Sequence, residues 1–359
     1  MKQLRIGFLS TAGIARRNWK AILHSGNCLV SAVASRDLDK SRQFIAECQA
    51  EHAFPAPPEA LGSYEALIQS PSVDAIYFPL PTGLRQEWVR QAAEAGKHIL
   101  SEKPCANDHA ELATTLSICR EQRVQFMDGV MFMHSPRLAK VREVLNDEQR
   151  IGRLRHMDSA FCFYGGEPFF RNNIRLDGDL EPTGCLGDLG WYSIRLALWV
   201  MNWQLPVKVT GKILTELAAE NCGKPTPAEF SGELFFEGGF SVSFYCSFIT
   251  GYQQWAHVSG ERGWLRLPDF VHPLDSYEPA FEVNDEFITV TGGMKCPPNT
   301  HAKIQGHATA QDTRMWRHFA GQICSGQLND DWPMWALKTQ QVLDACHAAA
   351  IKKEPVHLV

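Results

Sequence analysis

From Leu4 to Met127 the chain alternates short apolar runs with stretches of helical spacing, and no other feature restricts its fold as much. Leu4–Leu9, Leu29–Ala34, Val73–Phe78, Ile99–Ser101 and Val124–Met127 read as buried strands. Between them Gly13–His24, Leu38–Glu51, Tyr64–Gln69, Glu87–Ala95 and Asp108–Glu121 read as helices; Leu38, Phe44, Ile45 and Cys48 are spaced for one face. Pro79 and Pro81 stop the third strand, because proline cannot donate inside a central strand, and Gly96 closes a helix. Strands that alternate with helices imply a parallel, doubly wound sheet of Rossmann type.

The pattern changes after that alternation. Leu154–Tyr164 alternates like an exposed strand, and Val207–Thr215, Glu229–Phe236, Phe240–Phe248, Trp255–Ser259 and Gly263–Leu267 follow as strand-like runs split by glycine pairs. Gln311–Ile323 and Met334–Ile351 return to helical spacing, and these C-terminal helices are expected to pack back between the domains. A chain of 359 residues exceeds what one core supports. The reading is therefore α/β followed by α+β. A dinucleotide-binding domain occupies 1–125, and a domain with a large open antiparallel sheet occupies 126–359 and binds substrate.

Net charge is −5 with no basic stripe, which argues against nucleic acid as a partner. The sequence has no run of apolar residues long enough for a membrane span. Eleven cysteines form no CxxC pair, and the histidines form no HxH or HxxxH pair, so no metal site is expected. Scattered thiols and the lack of a clean cleavage site after Met1–Ala15 point to a cytoplasmic protein.

Two segments carry the cofactor chemistry. Ser10-Thr11-Ala12-Gly13-Ile14-Ala15 is a small-residue turn after the first strand, where backbone N–H groups and a helix N-terminus can face a pyrophosphate. The second strand ends in Ala34-Ser35-Arg36-Asp37. NAD-selective domains place a carboxylate at this tip for the ribose 2′-OH. Ser35-Arg36 suits a 2′-phosphate instead, so NADP is preferred and NAD stays open. The competing reading makes Arg36 a solvated loop charge.

Two further segments carry the reaction chemistry. Glu102-Lys103-Pro104 follows a strand tip. Lys103 can polarise and protonate a reacting oxygen; Glu102 either pairs with it or supports the nicotinamide side; Pro104 shapes the turn and is a candidate for a cis bond. Gly184-Cys185-Leu186-Gly187-Asp188-Leu189-Gly190-Trp191-Tyr192 opens an apolar helix, with Asp188 and Tyr192 at i and i+4 on one face. A free tyrosine has a pKa of about 10, and a neighbouring ammonium such as Lys103 favours its phenolate. The bland alternative for Tyr192 is a core aromatic.

The Glu-Lys-Pro motif and the later Gly-Asp-Leu-Gly-Trp-Tyr motif, together with Phe126-Met127-Asp128-Gly129 and Tyr245-Cys246-Ser247-Phe248, resemble the Gfo/Idh/MocA oxidoreductases, in particular the dihydrodiol and D-xylose dehydrogenase-like subgroup. The resemblance implies NADP-dependent hydride transfer at a hydroxyl or keto carbon of a sugar, cyclic polyol or dihydrodiol. Lys103 and Tyr192 would be the acid/base unit, with Asp188 orienting Lys103 or a substrate hydroxyl. The family's usual Gly-x-Gly turn is here Ser10-x-Ala12, so Ser10 must either avoid positive φ or carry its strain. Ser10 to Ile14, Ser35, Arg36, Leu80, Thr82, Glu102 and Lys103 are the implied cofactor contacts. Arg85, at a position where the family commonly has histidine, is expected to reach substrate or phosphate. His134 and Met131 would line the pocket, His134 being a second proton shuttle or a structural residue. Asn173 and Arg175 bind sugar hydroxyls or cap a loop. The family also implies a homodimer with second-domain sheets face to face, for which Phe240–Tyr245 is suited. The rival reading is a non-catalytic NADP-binding sensor of the same fold. Substrate identity depends on loops such as Glu167–Glu181 and Pro268–Pro298, which carry no readable code.

Overall fold

The computed structural model describes residues 3–220, 222–273, 280–284, 300–303 and 310–358, so most of the loop 268–298 lies outside the described residues. In chain order the first elements are β1 (Leu4–Leu9), α1 (Gly13–Ser25), β2 (Cys28–Ala34), α2 (Leu38–Glu51), β3 (Glu59–Leu61), α3 (Tyr64–Gln69), β4 (Ala75–Phe78), α4 (Thr82–Glu94), β5 (His98–Ser101), α5 (His109–Glu121) and β6 (Phe126–Asp128). There follow α6 (Arg137–Leu145), β7 (Leu154–Tyr164), α7 (Gly166–Asn172), α8 (Trp191–Val200), β8 (Lys208–Leu217), β9 (Thr226–Phe235), β10 (Ser241–Ser247), β11 (Ile249–Gly260), β12 (Trp264–Leu267), β13 (Ala280–Asn284) and β14 (Thr300–Lys303). The chain closes with α9 (Ala310–Cys324), α10 (Asp331–Lys352) and β15 (Val356–His357).

Two compact units result, one of Met1–His134 with Thr309–Gln340, the other of Ser135–Ala308 with Gln341–Val359, the division falling inside α10. α9 belongs with the first unit, whereas strand–helix alternation alone assigns all of 126–359 to the second. The reason is a set of polar contacts that alternation does not reveal: Arg17 of α1 pairs with Asp312 at 2.7 Å, and Trp316 Nε1 donates to Asn18 Oδ1 at 2.6 Å.

The first unit holds a six-stranded sheet in the order β3-β2-β1-β4-β5-β6, every pair parallel. The order reverses between β1 and β4, and ligands of such sheets bind outside the strand tips at that point. Buried rings fill the space beside it: Phe8 lies edge-on to Tyr77 at 5.3 Å, and Tyr77 edge-on to Trp316 at 5.6 Å. α2, α3 and α5 start on side-chain caps, Asp37, Ser63 and Asp108 each accepting a first-turn backbone N–H. The helices that start beside the switch point differ. α1 begins after Ala12 and α4 after Pro81, neither with a side-chain cap. α4 also starts at Thr82, earlier than the Glu87 read from periodicity, because Pro81 presets the chain for the first turn.

The second unit holds a nine-stranded sheet in the order β14-β13-β12-β11-β7-β10-β9-β8-β15. Its pairs are antiparallel except β7 with β10, which run parallel. β7, whose alternation suggests exposure, is an internal strand between β11 and β10, with Met157, Ala160, Phe161 and Cys162 buried. Alternation reports one solvated face, not an edge. Eight of the ten described cysteines are buried free thiols.

Candidate active site

The turn after β1 is where this chain departs furthest from glycine. Ser10 adopts φ 129°, a backbone conformation that glycine accepts and L side chains rarely do. Its hydroxyl offsets part of the strain by accepting the Ala12 N–H at 3.1 Å. A methyl added at Gly13 would meet nothing within 4 Å, so the space before α1 is open. Ile14, 44% exposed, borders it. No side chain caps α1; Ala15 N–H turns back to Ala12 O at 2.9 Å, and a helix N-terminus of this kind can receive an anion.

At the tip of β2, Ser35 is buried and Arg36 exposed. Asp37, the carboxylate next to Arg36 in sequence, caps α2, its Oδ1 accepting Asp39 N–H at 2.9 Å. The tip therefore presents a cation. Leu80 and Thr82, at the start of α4, are both buried.

The Glu102-Lys103-Pro104 turn follows β5, and the Lys103–Pro104 bond is cis. Arg85 holds this turn from α4. It is 2% exposed, and its guanidinium donates to the carbonyls of Leu80 (3.0 Å), Glu102 (2.5 Å) and Pro104. This corrects the expectation that Arg85 reaches substrate or phosphate: its donors are spent on three backbone carbonyls of the turn. Gln86 extends the clamp, donating to Cys105 O at 2.5 Å. Glu102 accepts from the Tyr77 hydroxyl at 2.5 Å, and Tyr77 accepts from Asn18 Nδ2 at 2.8 Å. Gly129 permits this packing, since a Cβ there would sit 3.2 Å from Glu102 Oε1. Burial holds the Glu102 carboxyl above the usual carboxylate range, against the opposing pull of the Tyr77 hydrogen bond, Lys103 and Arg85. Burial likewise raises the Tyr77 phenol well above its ordinary value. Sequence reasoning missed the Tyr77–Glu102 contact. The available signal was a tyrosine in an otherwise apolar buried strand, whose hydroxyl must find a partner.

Met131 and His134 lie in a short 3₁₀ turn in the same unit, both buried. His134 Nδ1 is 3.1 Å from His318 Nδ1 of α9, so a second imidazole occupies the nitrogen nearest it.

The remaining candidates gather in the second unit. Leu186–Gly190 forms a turn of π-helix that runs directly into α8. Gly184 opens it at φ 48°, with Pro227 O against the space a Cβ would fill. Asp188 lies in this π turn and Tyr192 in the first turn of α8, so the regular i, i+4 helix expected from spacing is widened by the π geometry. Arg175 Nε donates to Asp188 Oδ2 at 2.7 Å, and its guanidinium is held above its ordinary pKa, first by the Asp188 charge. The two readings open for Arg175, sugar contact or loop cap, both miss this partner: it is the counter-ion of Asp188. Asn173 caps the 3₁₀ turn Ile174–Leu176, its Oδ1 accepting Arg175 N–H at 3.1 Å. Tyr192 is 6% exposed, edge-on to Phe161 at 5.6 Å.

The structure thus groups the cofactor candidates at strand tips in one unit, and Asn173, Arg175, Asp188 and Tyr192 in the other. Among the described residues no group of three or more His, Cys, Asp or Glu could hold a metal, and no helix is long and apolar enough to cross a membrane.

Two family models match: residues 4–130 match an oxidoreductase family with an NAD-binding Rossmann fold, and 138–266 match the GFO/IDH/MocA C-terminal domain. The chain is 35% identical over 355 residues to the dTDP-3,4-didehydro-2,6-dideoxy-alpha-D-glucose 3-reductase of Actinomadura kijaniata, covering 97% of this chain and 96% of the relative. It is 30% identical over 290 residues to the D-xylose 1-dehydrogenase (NADP(+)) 2 of Haloferax volcanii, covering 80% and 83%. In fold it is similar to a solved 3-ketoreductase of Actinomadura kijaniata in complex with NADP and TDP-benzene, at TM-score 0.81 and 24% identity over 97% of this chain and 98% of that one.

Proposed function

The chain belongs to the GFO/IDH/MocA oxidoreductase family, and from that premise we propose that it is an NADP-dependent oxidoreductase acting on a hydroxyl or keto carbon of a sugar, cyclic polyol or dihydrodiol. The observation that carries the reading is the placement of Lys103 on the turn after β5, with uncapped helices α1 and α4 starting at the same strand tips. When bound, the cofactor supplies or takes the hydride at nicotinamide C4. The α1 N-terminus and the Ser10–Ile14 turn hold its pyrophosphate; Ser35 and Arg36 take the adenine-ribose end; Leu80, Thr82, Glu102 and Lys103 border the nicotinamide end. That Asp37 is spent on α2 supports NADP over NAD. Relatives named for NADP and for xylose or deoxyhexose substrates support both cofactor and substrate class.

Tyr192 exchanges the proton of the reacting hydroxyl. Lys103 favours its phenolate and hydrogen-bonds the substrate oxygen. Asp188, held by Arg175, orients a substrate hydroxyl or Lys103, and Asn173 and His134 border the substrate. The protein acts as a homodimer, through the sheet face on which Ser241, Ser243 and Tyr245 alternate with the buried Val242, Phe244 and Cys246. Its many buried free thiols suit a reducing, cytoplasmic setting.

Cofactor titration, followed by NADPH and NADH fluorescence, tests the reading. NADPH is expected to bind more tightly than NADH, and Arg36→Ala to weaken NADPH about tenfold or more while leaving NADH unchanged, tenfold being about 1.4 kcal/mol. Failure of the wild type to bind either cofactor would overturn the proposal.

A further inference from the structure

Gln311, in the first turn of α9, is 5% exposed, and neither its Nε2 nor its Oε1 has a hydrogen-bond partner. A buried amide unsatisfied at both ends is costly, and native interiors seldom leave one so. Its place in the first unit follows from how α9 lies along α1. Asp312 pairs with Arg17 at 2.7 Å, Trp316 Nε1 donates to Asn18 at 2.6 Å, and Arg317 Nε donates to Ser25 O at 2.9 Å. Rising numbers on one helix meet rising numbers on the other, so the two run parallel. α1 begins at the tip of β1. The start of α9 therefore lies at the level of the strand tips, with Gln311 one residue before Asp312. The Asp312 carboxylate is also near enough to push up both the Glu102 carboxyl and the Tyr77 phenol, which places the α9 start toward β4 and β5.

We infer that Gln311 is a cofactor-binding residue whose side-chain amide hydrogen-bonds the nicotinamide–ribose half of the bound dinucleotide. The inference rests on the dinucleotide reading above. The chemistry of the orphaned atoms excludes a phosphate, and the tie of α9 to Tyr77 and Glu102 through Trp316 and Asn18 selects the half. A phosphate accepts hydrogen bonds only, so it would satisfy Nε2 and leave Oε1 buried without a donor. A primary carboxamide offers an acceptor and a donor together, as do ribose hydroxyls. The carboxamide belongs to the nicotinamide half alone, and so does the one ribose with both hydroxyls free, since the other ribose of NADP carries the 2′-phosphate.

The test uses Gln311→Met and Gln311→Ala in the full-length protein, with calorimetric titration of NADPH, 2′-phospho-ADP-ribose and 2′,5′-ADP. Both variants are expected to weaken NADPH at least tenfold and to leave 2′,5′-ADP, which lacks the nicotinamide–ribose half, unchanged. Loss of 2′-phospho-ADP-ribose affinity as well assigns the contact to ribose hydroxyls; retained affinity assigns it to the carboxamide. A second readout is thermal. Without ligand, Gln311→Met should melt no lower than wild type, because it removes two unpaired polar atoms, while the rise in Tm on adding NADPH shrinks. Unchanged NADPH affinity, an equal fall for 2′,5′-ADP, or a lower Tm of the ligand-free Gln311→Met protein would overturn the assignment. Wild-type protein that binds none of the three ligands would instead overturn the dinucleotide reading on which it depends.

Discussion

Ser10 separates two effects at a single residue that usually travel together. Its positive φ costs about 1–3 kcal/mol, and its hydroxyl returns about 1 kcal/mol through the Ala12 N–H. Ser10→Ala keeps the strain and loses the bond, so urea unfolding should report a loss of about 1 kcal/mol. Ser10→Gly loses the bond and the strain together and adds a chain-entropy cost of about 0.5–1 kcal/mol, so it should stay within about 1 kcal/mol of wild type. A Ser10→Gly protein clearly less stable than Ser10→Ala would show that the φ is not strained. The proposed chemistry has its own residue-scale test. Lys103→Ala and Tyr192→Phe should each lower turnover at least ~100-fold in steady-state assays with NADP and aldoses or dihydrodiols, the lower end of acid/base catalysis. Wild-type turnover in either variant would remove that residue from the mechanism. The identities of Lys103, Asp188 and Tyr192 were readable because they stand in short motifs. The partners of Asp188 and Glu102 were not, because Arg175 and Tyr77 lie 13 and 25 positions away and nothing local marks the pairing.

At the scale of elements, β4, β5, α1 and α9 are tied by one buried polar chain: Trp316 to Asn18, Asn18 to Tyr77, Tyr77 to Glu102. Its last member makes a pH prediction. Burial raises the folded-state pKa of Glu102 above its unfolded value, so the folded protein binds the extra proton between the two. Stability contributed by that protonated carboxyl is present at low pH and falls as pH rises from the ordinary carboxylate range through the raised value. Glu102→Gln keeps an acceptor for the Tyr77 hydroxyl and cannot ionise. Its urea midpoint at neutral pH should equal or exceed that of wild type, and the decline with pH over that window should flatten. A steeper decline in the variant would contradict a raised carboxyl. The elements were legible to different degrees. β1, α2, α3 and β7 match their sequence bounds because their apolar periods begin and end sharply. β3 was missed because three residues at a sheet edge carry no period. The start of α4 was misplaced because Thr82 and Gly83 are weak helix formers next to a proline that initiates the helix.

For the whole molecule, the open face of the nine-stranded sheet makes the remaining prediction. Light scattering of the purified protein should give about twice the mass of one chain, and charged substitution of both Ser243 and Tyr245 should shift it toward the monomer. A monomeric wild type would remove the proposed dimer. Alternation of apolar runs with helical spacing was enough to specify a doubly wound sheet and a later antiparallel one, because period and order are local properties of the chain. Local motifs also marked the turn proposed to hold the cofactor and the residues proposed to handle the proton. Tertiary structure alone decided that α9 joins the first unit, that Arg85 is a clamp on backbone carbonyls, that Asp188 is held by Arg175, and that Gln311 is buried without a partner. Each of these turns on which polar group meets which across long stretches of chain, and burial sets that outcome where hydrophobic pattern is silent.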